Sequence, residues 1–173
     1  MEKKEIALNE LHLDGIDLTN RYILVTAGTL EEGKFNSMTI SWGFFGNMWF
    51  DPMALIAIRE SRYTNEFLEA GEDFTLTILP EKYKSVYGLM GSKSGRNSNK
   101  MKESGLTPIA SRCVKSPSYE EACFTLECRK VYMGDILKEG ILDQKILERD
   151  YADGDYHRIY IGKIVRAWKT GEF

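Results

Sequence analysis

Cysteine, histidine and proline are scarce in this chain of 173 residues, at three, two and four copies. Cys113, Cys123 and Cys128 are odd in number and lack CxxC spacing, which argues against a disulfide framework and a structural zinc site. Cys123 and Cys128 fall in one expected strand at an odd separation, so they point to opposite faces and do not readily share a metal. Neither histidine belongs to an HExxH or Cys/His cluster, so no protein-ligated metal is expected. Excess basic charge is also lacking: 23 Lys and Arg stand against 26 Asp and Glu, a net charge of -3. That leaves no electrostatic footprint for nucleic acid or an anionic membrane. Long apolar runs are missing as well. The most apolar stretch, residues 38–50, is short and broken by Gly43, Gly46 and Asn47, and the opening MEKKEIALNEL has no signal-peptide apolar core. These absences predict a soluble, cytoplasmic protein with small-molecule or protein partners. A hydrophobic content of 43% suffices for one substantial core, and no linker-like stretch divides the chain, so a single domain over residues 1–173 is expected.

What is present reads mostly as strands. Tyr22 to Thr29 is β-branched and apolar, EEG supplies a turn, and Phe35 to Ser41 completes a hairpin. Phe74, Leu76 and Ile78 alternate with Thr75 and Thr77, while Phe124, Leu126 and Cys128 alternate with Thr125, Glu127 and Arg129, the pattern of half-buried antiparallel strands. Met53 to Ile58 is continuously apolar and predicts a strand buried on both faces. Arg158 to Trp168 reads as a long closing strand. Helices are expected over Tyr63 to Ala70, stopped by Gly71, over Glu81 to Met90 behind Pro80, and over Leu142 to Tyr151. The sum is mainly β: a small β-barrel with peripheral helices.

Familiar phosphate and nucleophile devices do not occur. No GxGxxG follows a strand, GSKSGRNSNK lacks the spacing and final GK[ST] of a P-loop, and there is no GxSxG. Asp153 and Asp155 lack the rest of a calcium loop. Two segments are nonetheless rich in phosphate-gripping groups. RESRYT (59–64) brings two arginines and two hydroxyls to a strand-to-helix junction, where guanidinium groups and free helix-start amides suit a phosphate. GSKSGRNSNK (91–100) is the second.

Five blocks, NSMTISWG, IRESRYTNEFLEAGEDFTLTIL, SGRNSNKMKESGL, LECRKV and YHRIYIGKIV, occur in an order that resembles the flavin reductase-like FMN-binding split-barrel family, most closely its flavoredoxin branch. The resemblance runs from about Asn20 to Trp168. It implies a six-stranded Greek-key split barrel, a homodimer with FMN near the subunit interface, and electron transfer through that flavin, with NADH or NADPH as the expected donor. Asn36, Ser37, Met38, Thr39, Ser41 and Trp42 match the segment along the flavin ring and ribityl chain. Arg59, Ser61, Arg62, Tyr63 and Thr64 match the phosphate block. Ser94, Gly95, Arg96 and Lys100 match a loop whose lysine would add a cation near the flavin or its phosphate. His157 matches a histidine near the flavin or the donor. The chain departs from the family between Met133 and Tyr156, where a longer segment stands, either a lid or added dimer contact. Trp42, Trp49 and Trp168 could stack on flavin or fill the barrel, with packing favoured for Trp49.

The implied activity is NAD(P)H-dependent reduction of flavin, ferric iron or another acceptor through bound FMN, the cofactor supplying the chemistry so that no protein acid, base or nucleophile is required. A flavoredoxin-like electron carrier is one alternative. A degenerate barrel serving as an interaction module is another.

Overall fold

Strand pairing in the computed structural model, which describes residues 2–11 and 22–171, follows the residue patterns closely in the first hairpin. Asn20, where the resembling blocks begin, lies outside the described residues. Strands β2 (Ile23–Thr29) and β3 (Lys34–Ile40) form that hairpin, preceded by the short β1 (Lys4–Ile6). Next come β4 (Gly43–Met48), β5 (Asp51–Arg59) and β6 (Asp73–Ile78). A two-stranded pair, β7 (Pro108–Ile109) with β8 (Ser118–Tyr119), leads to the long strands β9 (Phe124–Asp135) and β10 (His157–Lys169). Helices are α1 (Tyr63–Ala70), α2 (Lys84–Ser92), α3 (Lys100–Glu103) and α4 (Gln144–Asp150). None of the described helices is long and apolar enough to cross a membrane.

The main sheet is antiparallel in the order β3-β2-β6-β9-β10-β5-β4, with β1 added on β10. Strands β6, β9 and β10 lie side by side in chain order, and β5 returns beside β10, which is a Greek key. The six barrel strands are β2, β3, β5, β6, β9 and β10; β1 and β4 extend the sheet. Their inward residues meet in one core: Val25, Met38, Ile56, Phe74, Leu126 and Ile164 come from six different strands, and Leu68 of α1 joins them. Burying each such side chain contributes about 1.5–3 kcal/mol. The wrap is tight at Gly162, where a Cβ would sit 2.6 Å from the Phe74 ring and 2.9 Å from Cys128 Cβ. A second cluster forms outside the barrel, where Leu24, Tyr87, Met90, Tyr119 and Trp168 pack under α2 and residues 106–122.

Several local expectations need correction. Strand β5 is not buried on both faces: Ala54, Ile56 and Ile58 enter the core, whereas Leu55 and Ala57 are only half-buried. The hydroxyl faces of β6 and β9, read as half-exposed, are buried under residues 111–119. Thr75 donates to Pro117 O at 2.6 Å, and Ser118 and Thr125 hydroxyls meet at 3.1 Å. Glu127 is fully buried and held by Arg166 (2.8 Å) and the Cys113 amide (2.6 Å). Cys123 precedes β9 rather than lying in it, and with Cys128 belongs to the barrel core. The helix expected from Glu81 begins as a 3-10 turn at Glu81–Tyr83 before α2, and the one expected over 142–151 is α4, capped by Asp143. Residues 43–48, for which no element is expected from the sequence, form β4. The β4–β5 hairpin turns through Trp49 and Phe50, both in the left-handed region (φ 54 and 64), a costly conformation for aromatic residues.

Candidate functional site

The site is built around the junction between β5 and α1. The ladder between β5 and β10 ends at the pair Arg59↔His157. The Glu60 amide still reaches Tyr156 O at 3.2 Å, the Arg62 amide closes a turn onto Arg59 O at 3.1 Å, and α1 starts at Tyr63. Arg62 is the N-cap and supplies no side-chain cap, so the first helical amides are left to other acceptors.

Beside this junction lies a cleft of about 340 Å3 lined by Met38, Ser61, Arg62, Tyr63, Thr64, Ser94, Arg96 and Lys100, together with Ser92, Lys93 and Asn97. It adjoins a groove of about 860 Å3, to which Asn36 and Gly95 contribute and which shares Tyr63, Arg96 and Lys100. Asn36 is buried and its amide donates to the Thr64 hydroxyl at 2.7 Å, tying β3 to α1. That leaves the Thr64 hydroxyl hydrogen free to donate onward. Gly95 must be small: a Cβ there would stand 2.5 Å from the Asn36 side-chain oxygen and 2.9 Å from the Tyr63 ring.

The cations of the cleft are not equivalent. Arg96 is neutralised by Glu66 (2.5 Å) and leans over the Tyr63 ring. Lys93 pairs with Glu103 at 2.5 Å. Among the described residues, Arg62 and Lys100 have no carboxylate partner. Both are held instead by carbonyls of the last turn of α2, Arg62 Nη2 by Gly91 O at 2.5 Å and Lys100 Nζ by Met90 O at 3.3 Å. The negative end of a helix suits cations. Lys100 is only 3% exposed. Burial, with the nearby Arg62 charge as the lesser cause, brings its pKa down to about 8.

The remaining expected residues are not brought into this cleft. Ser37 is fully buried and its hydroxyl belongs to a network with Thr26 (2.5 Å) and Tyr119. Thr39 donates to Tyr87 O at 2.7 Å under α2. Ser41 is exposed beyond β3. Arg59 faces the other flank, where its guanidinium donates to Asp155 O at 2.6 Å and Asp150 O at 2.7 Å. It thereby latches the 150–155 segment to β5. His157 is buried there, 3.0 Å through Nδ1 from the Tyr151 hydroxyl and stacked on Trp42 at 4.4 Å between centroids. Burial first, then Arg59, lowers its pKa to about 4, so it is neutral near pH 7. Trp168 fills the second core, and Trp49 is exposed at the hairpin tip.

Sequence reasoning missed the acidic and carbonyl partners that sort these cations: Glu66, Asp155, Met90 and Gly91. No spacing in the sequence connects them to the arginines, because they come from distant segments.

The antiparallel split barrel is the fold of flavin reductase-like proteins. The model of the flavin reductase like domain matches residues 17–172, and the chain belongs to that family. An uncharacterised protein of Archaeoglobus fulgidus is 39% identical over 146 residues, covering 80% of this chain and 71% of that protein. The fold resembles the FMN-binding domain of a flavin reductases-like enzyme from Shewanella baltica, with TM-score 0.70, 15% identity, and coverage of 97% of this chain and 77% of the other. It also resembles the flavoredoxin of Desulfovibrio vulgaris (Miyazaki F), with TM-score 0.67, 20% identity, and coverage of 87% and 70%.

Proposed function

We propose that this chain binds FMN and passes electrons through it, acting as an NAD(P)H-dependent reductase of flavin, ferric iron or a similar acceptor in the cytoplasm. The observation that carries this reading is the pair Arg62 and Lys100, two cations without acidic partners among the described residues, beside an uncapped helix start. A buried ammonium is costly unless a counter-charge arrives, and a phosphate monoester supplies one. Arg62 offers a planar fork of donors, Lys100 a point charge, and the first amides of α1 add neutral donors. Thr64 and Ser94 complete a polar lining suited to phosphate oxygens. When bound, FMN accepts electrons from a reduced donor and releases them to an acceptor. The residues of this chain would hold and orient it: Met38 of β3 lines one side of the cleft, and Asn36 fixes the position of Thr64 against α1.

A second copy of the chain is the proposed partner. Phe44 (73% exposed), Phe50 (100%) and Leu142 (95%) are exposed apolar side chains outside the barrel, as are Tyr132 and Met133, and Phe44 and Tyr132 fall in one row across the sheet through Leu55 and Ile161. Burial of the half-exposed outer face of β5 in such a dimer would also explain its apolar sequence.

The deciding experiment is an anaerobic stopped-flow record of flavin absorbance after mixing FMN-loaded protein with NADH, NADPH or buffer. Bleaching with a nicotinamide, followed by turnover with acceptor, supports a reductase. Bleaching only by a reduced redox protein supports a flavoredoxin-like carrier, and failure to bind FMN refutes the proposal.

A further inference from the structure

We infer that Asp155 is a positioning residue for the phosphate cleft: its carboxylate takes over from the backbone at the end of a β ladder and thereby aims Arg62. The inference rests on the phosphate reading above. Strands β5 and β10 pair regularly up to Arg59↔His157, and the next amide, Glu60, still finds a backbone acceptor at Tyr156. At Ser61 the acceptor changes. The Ser61 amide donates to Asp155 Oδ1 at 3.2 Å and the Ser61 hydroxyl to Oδ2 at 2.6 Å.

A side-chain acceptor can satisfy the amide without holding the chain in strand geometry, so the backbone is released to turn at once into α1. Ser61 itself lines the cleft and immediately precedes Arg62. Asp155 is in turn secured from behind, its carbonyl receiving Arg59 and its amide donating to Asp153 Oδ1 at 3.2 Å. Arg59 and Ser61, both expected to touch phosphate, thus serve in a brace for their neighbour. The segment before His157, where this chain departs from its family's pattern, acquires a definite role.

Charge and position make opposite predictions for this residue. A carboxylate near an anion site repels the anion, so if only its charge mattered, removing it would tighten FMN binding. If Asp155 positions the turn, removing its acceptor atoms weakens FMN binding even though a negative charge is lost. Because Ser61 is exposed and water can replace the lost partners, global stability changes little.

The test titrates FMN and riboflavin, by quenching of flavin fluorescence, into the parent protein, Asp155→Ala and Asp155→Asn, with amide exchange followed at Ser61. For Asp155→Ala we expect faster Ser61 exchange and about a 10-fold loss of FMN affinity with riboflavin unchanged. Asparagine keeps an acceptor oxygen, so Asp155→Asn retains FMN binding at or above the parent value. The proposal is overturned if Asp155→Ala binds FMN as well as the parent or better, if both variants lose FMN equally, or if FMN and riboflavin fall together. A parent protein that does not prefer FMN over riboflavin defeats the phosphate reading itself, and this inference with it.

Discussion

Replacing Arg62 or Arg59 by alanine should separate two arginines that stand three residues apart. Arg62 lines the cleft, has no carboxylate partner among the described residues, and spends Nη2 on Gly91 O. Its remaining donors are available to a phosphate. Each charge-assisted hydrogen bond is worth about 1.5–3 kcal/mol, so Arg62→Ala should weaken FMN binding roughly 10- to 100-fold. Riboflavin, which has no phosphate, should bind almost as before. Arg59 is already committed to the carbonyls of Asp150 and Asp155 at 2.7 and 2.6 Å and lies over the Tyr151 ring. Its loss unlatches the 150–155 segment and should cost about 1–3 kcal/mol of stability. Arg59 also secures Asp155 from behind, so some FMN-selective loss is expected, but with the Ser61 contacts to Asp155 intact it should be smaller than in Arg62→Ala. Fluorescence titrations with both flavins, paired with thermal unfolding by circular dichroism, read the two effects separately. A selective FMN loss in Arg59→Ala with none in Arg62→Ala would refute the assignment, and equal loss of both flavins in Arg62→Ala would make that residue structural.

Three further outcomes are expected. Lys100, with its pKa near 8 in the free protein, carries its charge only below that pH. The preference for FMN over riboflavin should therefore shrink as pH rises above about 8, and Lys100→Met should reduce the preference and remove this pH dependence. His157 titrates near 4 when folded and near 6.5 when unfolded, so the unfolded state binds more protons between these values. Stability should fall as pH drops from 6.5 toward 4, by up to about 1.4 kcal/mol per pH unit, and urea titrations of His157→Gln should show a flatter profile. Light scattering at micromolar concentration should give a dimer, and Phe44→Lys with Leu142→Lys should shift it toward monomer; a parent protein that is monomeric would refute the proposed dimer.

The local chemistry of the chain determined more than its helices and strands. The β-branched, apolar run 22–29, the alternation in 74–78, Gly71 as a helix stop, and the ordered blocks from NSMTISWG to YHRIYIGKIV were enough to indicate the barrel and the region of the candidate site, because periodicity and turn residues act over a few neighbours. Tertiary structure alone decided which face of β6 and β9 meets water. Thr75, Thr77, Thr125 and Glu127 look solvent-facing by alternation, yet residues 111–119 lie over them and satisfy several of their polar atoms. It also decided which cations remain free. Arg59, Arg62, Arg96 and Lys100 are alike in sequence, but Asp150, Asp155 and Glu66 reach some of them across gaps of 30 to 96 residues. Whether a charge is already satisfied depends on partners a few ångströms away in space, and chain separation carries no record of that distance.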